Sequence, residues 1–496
     1  MLLAGLDIGT TGCKISVFST GGEFLGRVYR DYPNTRTTSQ HEIDAVLIWK
    51  AVQEVLTEAS AKWPDIGSIG VTSFGETFVL LDKNDQPLSP SMLYTDPRGA
   101  EECEWLSAKL GRDIIAGITG LNPHPMYSIP KLMWVKRHKP EIWSNVGRVC
   151  QMKDYIVYLL TGNAQIDYSL ASRTMAFDIK QLIWNDQIFD AAGIDKALLS
   201  APVPIGTCAG TVKPEIAKSL GLNPKMLVVS SGQDQVAAAV GSGIFDEDVA
   251  VDGAGTVECI TPVFRDIENY DSMINNSYAI VPYIEDGKYV CYAFSFTGGA
   301  AVQWFTENLA GYAANHAAKK GMNIYKYFDE YASPSGPTGL LVLPHFAGAA
   351  TPHMDYNAKA AIVGLTLSTT QADIFNAIME GVCYEMRLNV EQLTGAGIEF
   401  KKLRATGGGA NSRVWMQMKA DILNLPVTSL STVEAGGAGA AMMAGVAAGV
   451  FADLREAAGV MVEEKETFVP RGGFIDGYSF VYEKYKGLYA SLKPYF

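Results

Sequence analysis

The apolar positions of this 496-residue chain change period several times, and each change predicts an element. Leu2, Leu3 and Leu6 predict a short buried strand, and Ile15, Val17 and Phe18 resume strand character after a polar turn. Gly21-Gly22 turns the chain again, so residues 1–30 read as a β-meander. From 43 to 63 the positions Trp49, Val52, Leu56, Ala59 and Trp63 fall at helical spacing. Strand-like runs return at 66–72 and 78–81, followed by a turn at Lys83-Asn84-Asp85. Residues 100–200 read as mainly helical with Gly and Pro breaks. Residues 226–230 predict another strand, running into Gly232-Gln233-Asp234 and an Ala/Val-rich helix.

A second cycle then begins. Val249-Ala250-Val251-Asp252-Gly253-Ala254-Gly255-Thr256 repeats the strand and Gly/Thr turn of the opening hairpin, one residue longer, and 257–263 supplies the return strand. Two such hairpins half a chain apart predict two domains of related topology, 1–245 and 246–496, with the switch near 243–248. No low-complexity linker marks that switch, which predicts a closely joined, hinged pair. Later, 403–406 reads as a strand running into Gly407-Gly408-Gly409-Ala410-Asn411-Ser412 and a helix bearing Trp415, Met418, Ile422 and Leu423. Such a turn lets a ligand approach the backbone at a helix N-terminus, although packing alone also explains it. A long uncharged run, 435–451, is rich in Ala and Gly. It is shorter than the ~20 apolar residues of a membrane span and reads as a buried, closely packed helix.

Composition narrows the classes. Hydrophobic residues make up 48% and charged residues 19%, as in a globular chain. A net charge of −13 gives no general attraction to nucleic acid or anionic membranes. The seven cysteines are scattered with no Cys-x-x-Cys pair, which fits reduced thiols in a cytoplasm rather than a disulfide framework or a zinc site. No basic region precedes the first apolar strand, so no signal peptide is predicted and a soluble, cytoplasmic protein is expected. The six histidines show no metal-ligand spacing.

The candidate chemistry starts at Asp7-Ile8-Gly9-Thr10-Thr11-Gly12-Cys13-Lys14. A tight turn of glycines and hydroxyls aims N–H and O–H groups at one point, as a phosphate requires. Asp7 can hold a cation and Lys14 can neutralise a phosphate, while an ordinary hairpin with a surface carboxylate explains these eight residues equally well. Asp234, at a strand end opening a helix, can take a proton from a substrate hydroxyl that attacks a γ-phosphate. Helix capping is the plain alternative for that position.

With these elements in place, the chain resembles the FGGY carbohydrate kinase family over essentially its full length. Residues from Met126-Tyr127-Ser128-Ile129-Pro130-Lys131 to Arg137-His138 match its first signature. Ala360, Ile362, Gly364, Leu365, Asp373, Ile374, Ala377, Ile378, Met379 and Glu380 match the second. The resemblance implies an α/β fold of two actin-like (ribonuclease H-like) domains. Each has a mixed five-stranded sheet flanked by helices, with an interdomain cleft between the two. It implies ATP-dependent phosphorylation of a sugar or polyol with Mg2+, Asp234 being the general base and Asp7 the metal residue. Thr10, Thr11 and Lys14 fall at phosphate positions, Gly255 and Thr256 at a second phosphate loop, Gly299 and Gln303 at ADP contacts, and Gly408, Gly409 and Ser412 at the adenosine turn. The expected partners are ATP and a small sugar or polyol, without nucleic acid or membrane, and a homodimer is one assembly open to the chain.

The acceptor is read from Gly75-Glu76 and from Leu93-Tyr94-Thr95-Asp96-Pro97-Arg98. Glycerol kinases have Arg-Glu where this chain has Gly75-Glu76, and xylulose kinases have Met-His. The second segment resembles the xylulose-kinase Leu-Trp-Asn-Asp-Gly-Arg. Glu76 and Asp96 are the candidates for hydroxyl binding, Tyr94 for packing on the carbon chain and Arg98 for either the sugar or a pair with Glu101 or Glu102. Gly348-Ala349-Ala350-Thr351-Pro352 departs from the Gly-Glu-Arg-Thr-Pro of many relatives. D-xylulose leads, with other ketopentoses, erythritol, gluconate and glycerol as alternatives. A non-enzymatic actin-like ATPase is the reading from another class.

Overall fold

The computed structural model describes residues 1–496 except 268, 332, 333 and 433. The chain forms two compact units: 1–243 with 279–290 and 434–462, and 244–278 with 291–433 and 463–496. The expected continuous halves, 1–245 and 246–496, are therefore interleaved. The chain leaves the first unit at Gly243 but returns to it twice.

In the first unit, strands β1 (Leu2–Ile8), β2 (Gly12–Ser19) and β3 (Phe24–Asp31) form the predicted meander. Helix α1 (Ala45–Lys62) follows, capped by the Asp44 carboxylate. It buries Val52, Leu56 and Ala59, with Trp49 and Trp63 half-buried at its margin. Strands β4 (Ile66–Ser73), β5 (Thr207–Thr211) and β6 (Leu227–Gln233) complete a six-stranded sheet in the order β5-β6-β4-β1-β2-β3. The β1–β4 and β4–β6 pairs are parallel and the other three antiparallel. The sixth strand, beyond the five implied by the family pattern, is β5 at the edge. Helix α2 (Ser128–His138) lies within the first signature, and α3 (Asp234–Gly241) starts directly from the end of β6.

The second unit repeats this plan. Its strands β7 (Val249–Ala254), β8 (Glu258–Phe264), β9 (Ala293–Ser295), β10 (Lys402–Thr406), β11 (Val427–Leu430) and β12 (Glu464–Phe468) run in the order β9-β8-β7-β10-β11-β12. The β7–β10 and β10–β11 pairs are parallel and the rest antiparallel, the same sequence of senses as in the first unit when one order is read from its opposite edge. Helix α4 (Gly299–Asn308) and helix α5 (Gln371–Gly395), which has a Thr370/Asp373 capping box, flank it with α6 (Arg413–Leu423).

The predicted Ala/Gly helix spans Ala435–Ala447, and it is the piece that returns to the first unit. It docks backbone to backbone. A methyl group on Gly5 of β1 would lie 1.9 Å from the carbonyl oxygen of Gly437, and one on Gly70 of β4 would lie 2.0 Å from that of Ala440. On the other side, methyls on Gly241 and Gly439 would each lie 1.9 Å from the carbonyls of Ala435 and Ala237. Only hydrogen fits at these four positions, and each Cα–H points at a carbonyl, a weak attractive contact.

Gly70→Ala should therefore destabilise the first unit by on the order of 3 kcal/mol, because the backbone facing it cannot retreat. Gly117, with nothing within 4 Å of its would-be methyl, is the control. Its change to Ala should be neutral or raise stability by ~0.5–1 kcal/mol. Urea-unfolding midpoints of the two variants check this, and equal midpoints would remove the docking argument.

Candidate active site

The first unit gathers carboxylates at the carboxyl ends of β1, β4 and β6. Asp7 on β1 lies opposite Lys14 on β2 and beside Thr72 on β4 in register. Lys14 Nζ is 3.3 Å from Asp7 Oδ2 and 2.8 Å from Glu434 Oε2, and Glu434 also takes Arg27 Nη1. Burial raises the Asp7 carboxyl above its usual range, and Lys14 only partly opposes this. For Lys14 burial pulls downward, but Asp7 and Glu434 reverse it and leave the ammonium firmly charged. The turn between them is fixed by the Gly9 N–H on Gly12 O at 2.9 Å and by Tyr32 Oη on Gly9 O at 2.6 Å. Thr10 and Thr11 stand at its tip, half-buried and exposed.

Asp234 is the first residue of α3. A methyl on Gly436 would lie 3.4 Å from Asp7 Oδ2 and 3.9 Å from the Asp234 carbonyl, so the start of the docked helix lies close to both residues. The β6 terminus is held from several sides. Thr72 Oγ1 donates to Gly232 O at 2.9 Å, and the Gln233 N–H donates to Ser169 Oγ at 2.9 Å. Ser169 in turn donates to Asp167, which pairs with the buried Lys153. The Asp234 carboxylate is anchored through one oxygen only: Oδ1 accepts the Gln235 N–H at 2.7 Å and the Gln233 side-chain amide. Burial, with Asp7 and Glu76 adding repulsion, pushes Asp234 up to about 7.

Glu76 has the same half-anchored form. Arg173 Nε donates to Glu76 Oε1 at 2.6 Å and Nη2 forms an ion pair with the same oxygen at 2.5 Å, while Oε2 has no partner among the described residues. Its backbone sits at φ 65°, the left-handed region, and its carbonyl accepts Ser128 Oγ from the start of α2 at 2.7 Å. Tyr94 is half-buried nearby. Burial, then Glu76 and Asp234, raises its hydroxyl above the usual range, which places both carboxylates in its field.

Asp96 and Arg98 bond to one another and to neighbouring segments of the first unit. Asp96 Oδ1 accepts the Arg98 N–H at 3.0 Å and Nε at 2.8 Å, and Oδ2 accepts the His41 N–H at 2.7 Å and Arg98 Nη2 at 2.7 Å. Arg98 also pairs with Glu42 at 2.6 Å, not with Glu101 or Glu102. Although burial pushes the other way, these donors hold the Asp96 carboxyl below its usual range. Each oxygen thus accepts two donors, one of them the backbone of His41, and these bonds hold the loop in shape. Lys131 of the first signature, fully buried, donates to the Asp96 and Arg98 carbonyls and fixes the same loop.

The second unit brings its glycine turns together. The Gly299 N–H donates to Gly255 O at 2.8 Å and the Ala300 N–H to Thr256 O at 3.1 Å, tying the start of α4 to the β7–β8 turn. Methyls on Gly407 and Gly409 would meet the Ala254 carbonyl at 2.7 Å and the Ala254 side chain at 3.0 Å, whereas Gly408 faces open space. Ser412 caps α6 through the Trp415 N–H at 3.1 Å and donates to Asp329 at 3.0 Å. Gln303 is exposed on α4 and bonds Glu307 at 2.7 Å, away from this convergence. Behind the turn lies a buried triad in which Lys419 Nζ reaches Asp252 Oδ2 at 2.5 Å and also Glu258. Asp252, the counterpart of Asp7, is thus internal.

Arg173, Glu434, the Gln233 side chain, Asp329 and Lys419 are absent from the sequence-derived candidates. Two of them carry a signal: Arg173 is the one charge between Asp167 and Asp178, and Glu434 is the last charge before the uncharged run at 435. A lone charge in an apolar stretch needs a partner.

These features can be set beside known proteins. A model of the FGGY family of carbohydrate kinases, N-terminal domain, matches residues 2–241, and the C-terminal domain model matches 268–448. The chain is 28% identical over 495 residues to a xylulose kinase of Lactococcus lactis subsp. lactis (strain IL1403), covering 98% of this chain and 96% of the relative. It is also 28% identical over 457 residues to a gluconokinase of Bacillus subtilis (strain 168), covering 89% and 86%. The solved structure of a xylulose kinase from Rhodospirillum rubrum superposes with a TM-score of 0.88 at 26% identity, covering 100% of this chain and 99% of that one. With both domain models matched across two sheets of one plan and a half-anchored carboxylate at a strand end, the chain belongs to the FGGY family of carbohydrate kinases.

Proposed function

We propose that this protein transfers the γ-phosphoryl group of ATP to a hydroxyl of a small ketose, with D-xylulose as the leading acceptor and Asp234 as general base. The observation that carries this reading is the state of Asp234. It is half-buried, oriented through Oδ1 by two donors, without a partner at Oδ2 among the described residues and raised to about 7, so it can hold a proton taken from a hydroxyl near neutral pH. The acceptor oxygen bonds to the γ-phosphorus as its proton passes to Oδ2, and the bond from that phosphorus to the β–γ bridging oxygen breaks, releasing ADP. Glu76 Oε2 and the Tyr94 hydroxyl supply polar contacts for the other hydroxyls. Thr10, Thr11 and Lys14 serve phosphate, as do Gly255 and Thr256 in the second unit, where Gly408 leaves room for a nucleoside and Gly409 packs that turn against Ala254. Lactococcus and Rhodospirillum relatives that are xylulose kinases support the choice of acceptor.

Family members use ATP, generally with a divalent metal. Among the described residues no group of three or more His, Cys, Asp or Glu forms a metal cage. Asp7 instead fits Mg2+, which takes one or two carboxylates and completes its shell with phosphate oxygens and water. Asp7 would hold it, with Asp234 adjacent, and the ion would neutralise phosphate charge. No helix among the described residues is long and apolar enough to cross a membrane, and all seven cysteines are free, which supports a cytoplasmic setting. A sugar acid is the second reading, favoured by the gluconokinase relative.

Two outcomes test this assignment. ADP release measured with D-xylulose, other pentuloses, erythritol, glycerol and gluconate should be stimulated most by D-xylulose. Turnover unaffected by every acceptor would leave only the actin-like ATPase reading. The acid limb of kcat/KM for the acceptor should fall about tenfold per pH unit below about 7, because a raised carboxyl gains its proton there and ceases to be a base. A profile flat from pH 8 to 5 would remove Asp234 from that role.

A further inference from the structure

Glu76 takes its guanidinium partner from 97 residues away, while the residue that precedes it in the chain is Gly75. We propose that Arg173 is a positioning and specificity-determining residue that presents Glu76 Oε2 to an uncharged polyhydroxy acceptor. The proposal rests on the kinase reading above and deepens it.

Geometry carries this inference. Arg173 follows the short helix Tyr168–Ser172, whose start is fixed by Asp167. Its Nε and Nη2 both engage one oxygen of Glu76, and its guanidinium carbon lies 5.2 Å from the centre of the Tyr127 ring. A methyl on Gly75 would come within 3.2 Å of Arg173 Cγ and 3.7 Å of Gln233 Cγ. The space beside Gly75 is therefore filled by the arginine stem, and a long side chain at 75 would collide with it. Glu76 is only 5% exposed. A carboxylate this buried, in the left-handed backbone region and held through Oε1 alone, has its second oxygen left for a ligand.

The charge count then selects the ligand. Arg173 compensates Glu76, so the pair is close to neutral, while Asp234, which feels both Glu76 and Asp7, remains near it as an acid. A hydroxyl donates to Oε2 without an electrostatic cost, whereas a carboxylate at the same place faces an acceptor oxygen it cannot donate to and the neighbouring Asp234. The subsite accordingly takes the hydroxyls of a neutral sugar or polyol and disfavours a sugar acid.

The test is steady-state kinetics of the full-length enzyme with Arg173→Gln, Arg173→Lys, Glu76→Gln and the Glu76→Gln/Arg173→Gln double variant. D-xylulose, erythritol and gluconate serve as acceptors. Arg173→Gln should raise the KM of the neutral acceptor at least tenfold while leaving the KM of ATP within twofold. Arg173→Lys should recover part of that loss. The double variant should lose less than the product of the single losses, since the two residues act as one unit. Glu76→Gln should narrow the preference for the neutral acceptor over gluconate. Equal effects on ATP and acceptor, strictly multiplicative losses, or an Arg173→Gln enzyme with an unchanged acceptor KM would each overturn the proposal. A wild-type enzyme that phosphorylates none of the acceptors would instead overturn the kinase reading itself. Thermal unfolding of each variant separates these results from loss of the fold.

Discussion

Four glycines decide where the chemistry of the first unit can occur. Gly5, Gly70, Gly241 and Gly439 let the 435–447 helix lie directly on the backbones of β1, β4 and α3, closer than any side chain would permit. Because that helix comes from late in the chain, its docking also returns Glu434 to Lys14 and brings Gly436 close to both Asp7 and Asp234. A wider packing distance would move the start of the helix and, with it, the spacing of the two carboxylates. Close packing here is a positional device first and a source of stability second.

The carboxylates divide by how their oxygens are used. Asp234 and Glu76 are each tied through one oxygen and open at the other. Asp96 is tied through both. Asp252 is sealed inside with Lys419 and Glu258, where burial and Asp252 hold the Glu258 carboxyl well above its usual range. The two units repeat one sheet plan and one lysine-between-two-acids arrangement. In the first unit the lysine is part-exposed and available to a ligand, and in the second it is wholly internal. Repetition of the fold has not meant repetition of the chemistry.

Much of this is legible in the sequence. The meander at 1–30, the echo at Asp252, the glycine turn at 407–412 and the buried Ala/Gly helix are local patterns, and local patterns are written in spacing. What escapes is long-range. The Arg173–Glu76 contact spans 97 residues, and the return of 434–462 to the first unit depends on glycines spread over three elements. The bonding of Asp96 escapes for a related reason: the motif is recognisable, but its donors include a backbone amide at His41, which no side-chain pattern reveals. The Gln303–Glu307 bond on the exposed face of its helix is equally invisible to the motif.

A half-buried, half-anchored base and an arginine-held carboxylate beside it describe a site built to receive hydroxyls. The most direct test of that account is Asp234→Asn, with ATP affinity measured by calorimetry and acceptor phosphorylation by single turnover. ATP affinity should stay within about threefold of wild type while phosphoryl transfer falls by roughly 10²–10⁴, the range lost with a general base. A folded Asp234→Asn enzyme that still transfers phosphate at near wild-type rate, or that loses ATP binding instead, would contradict it.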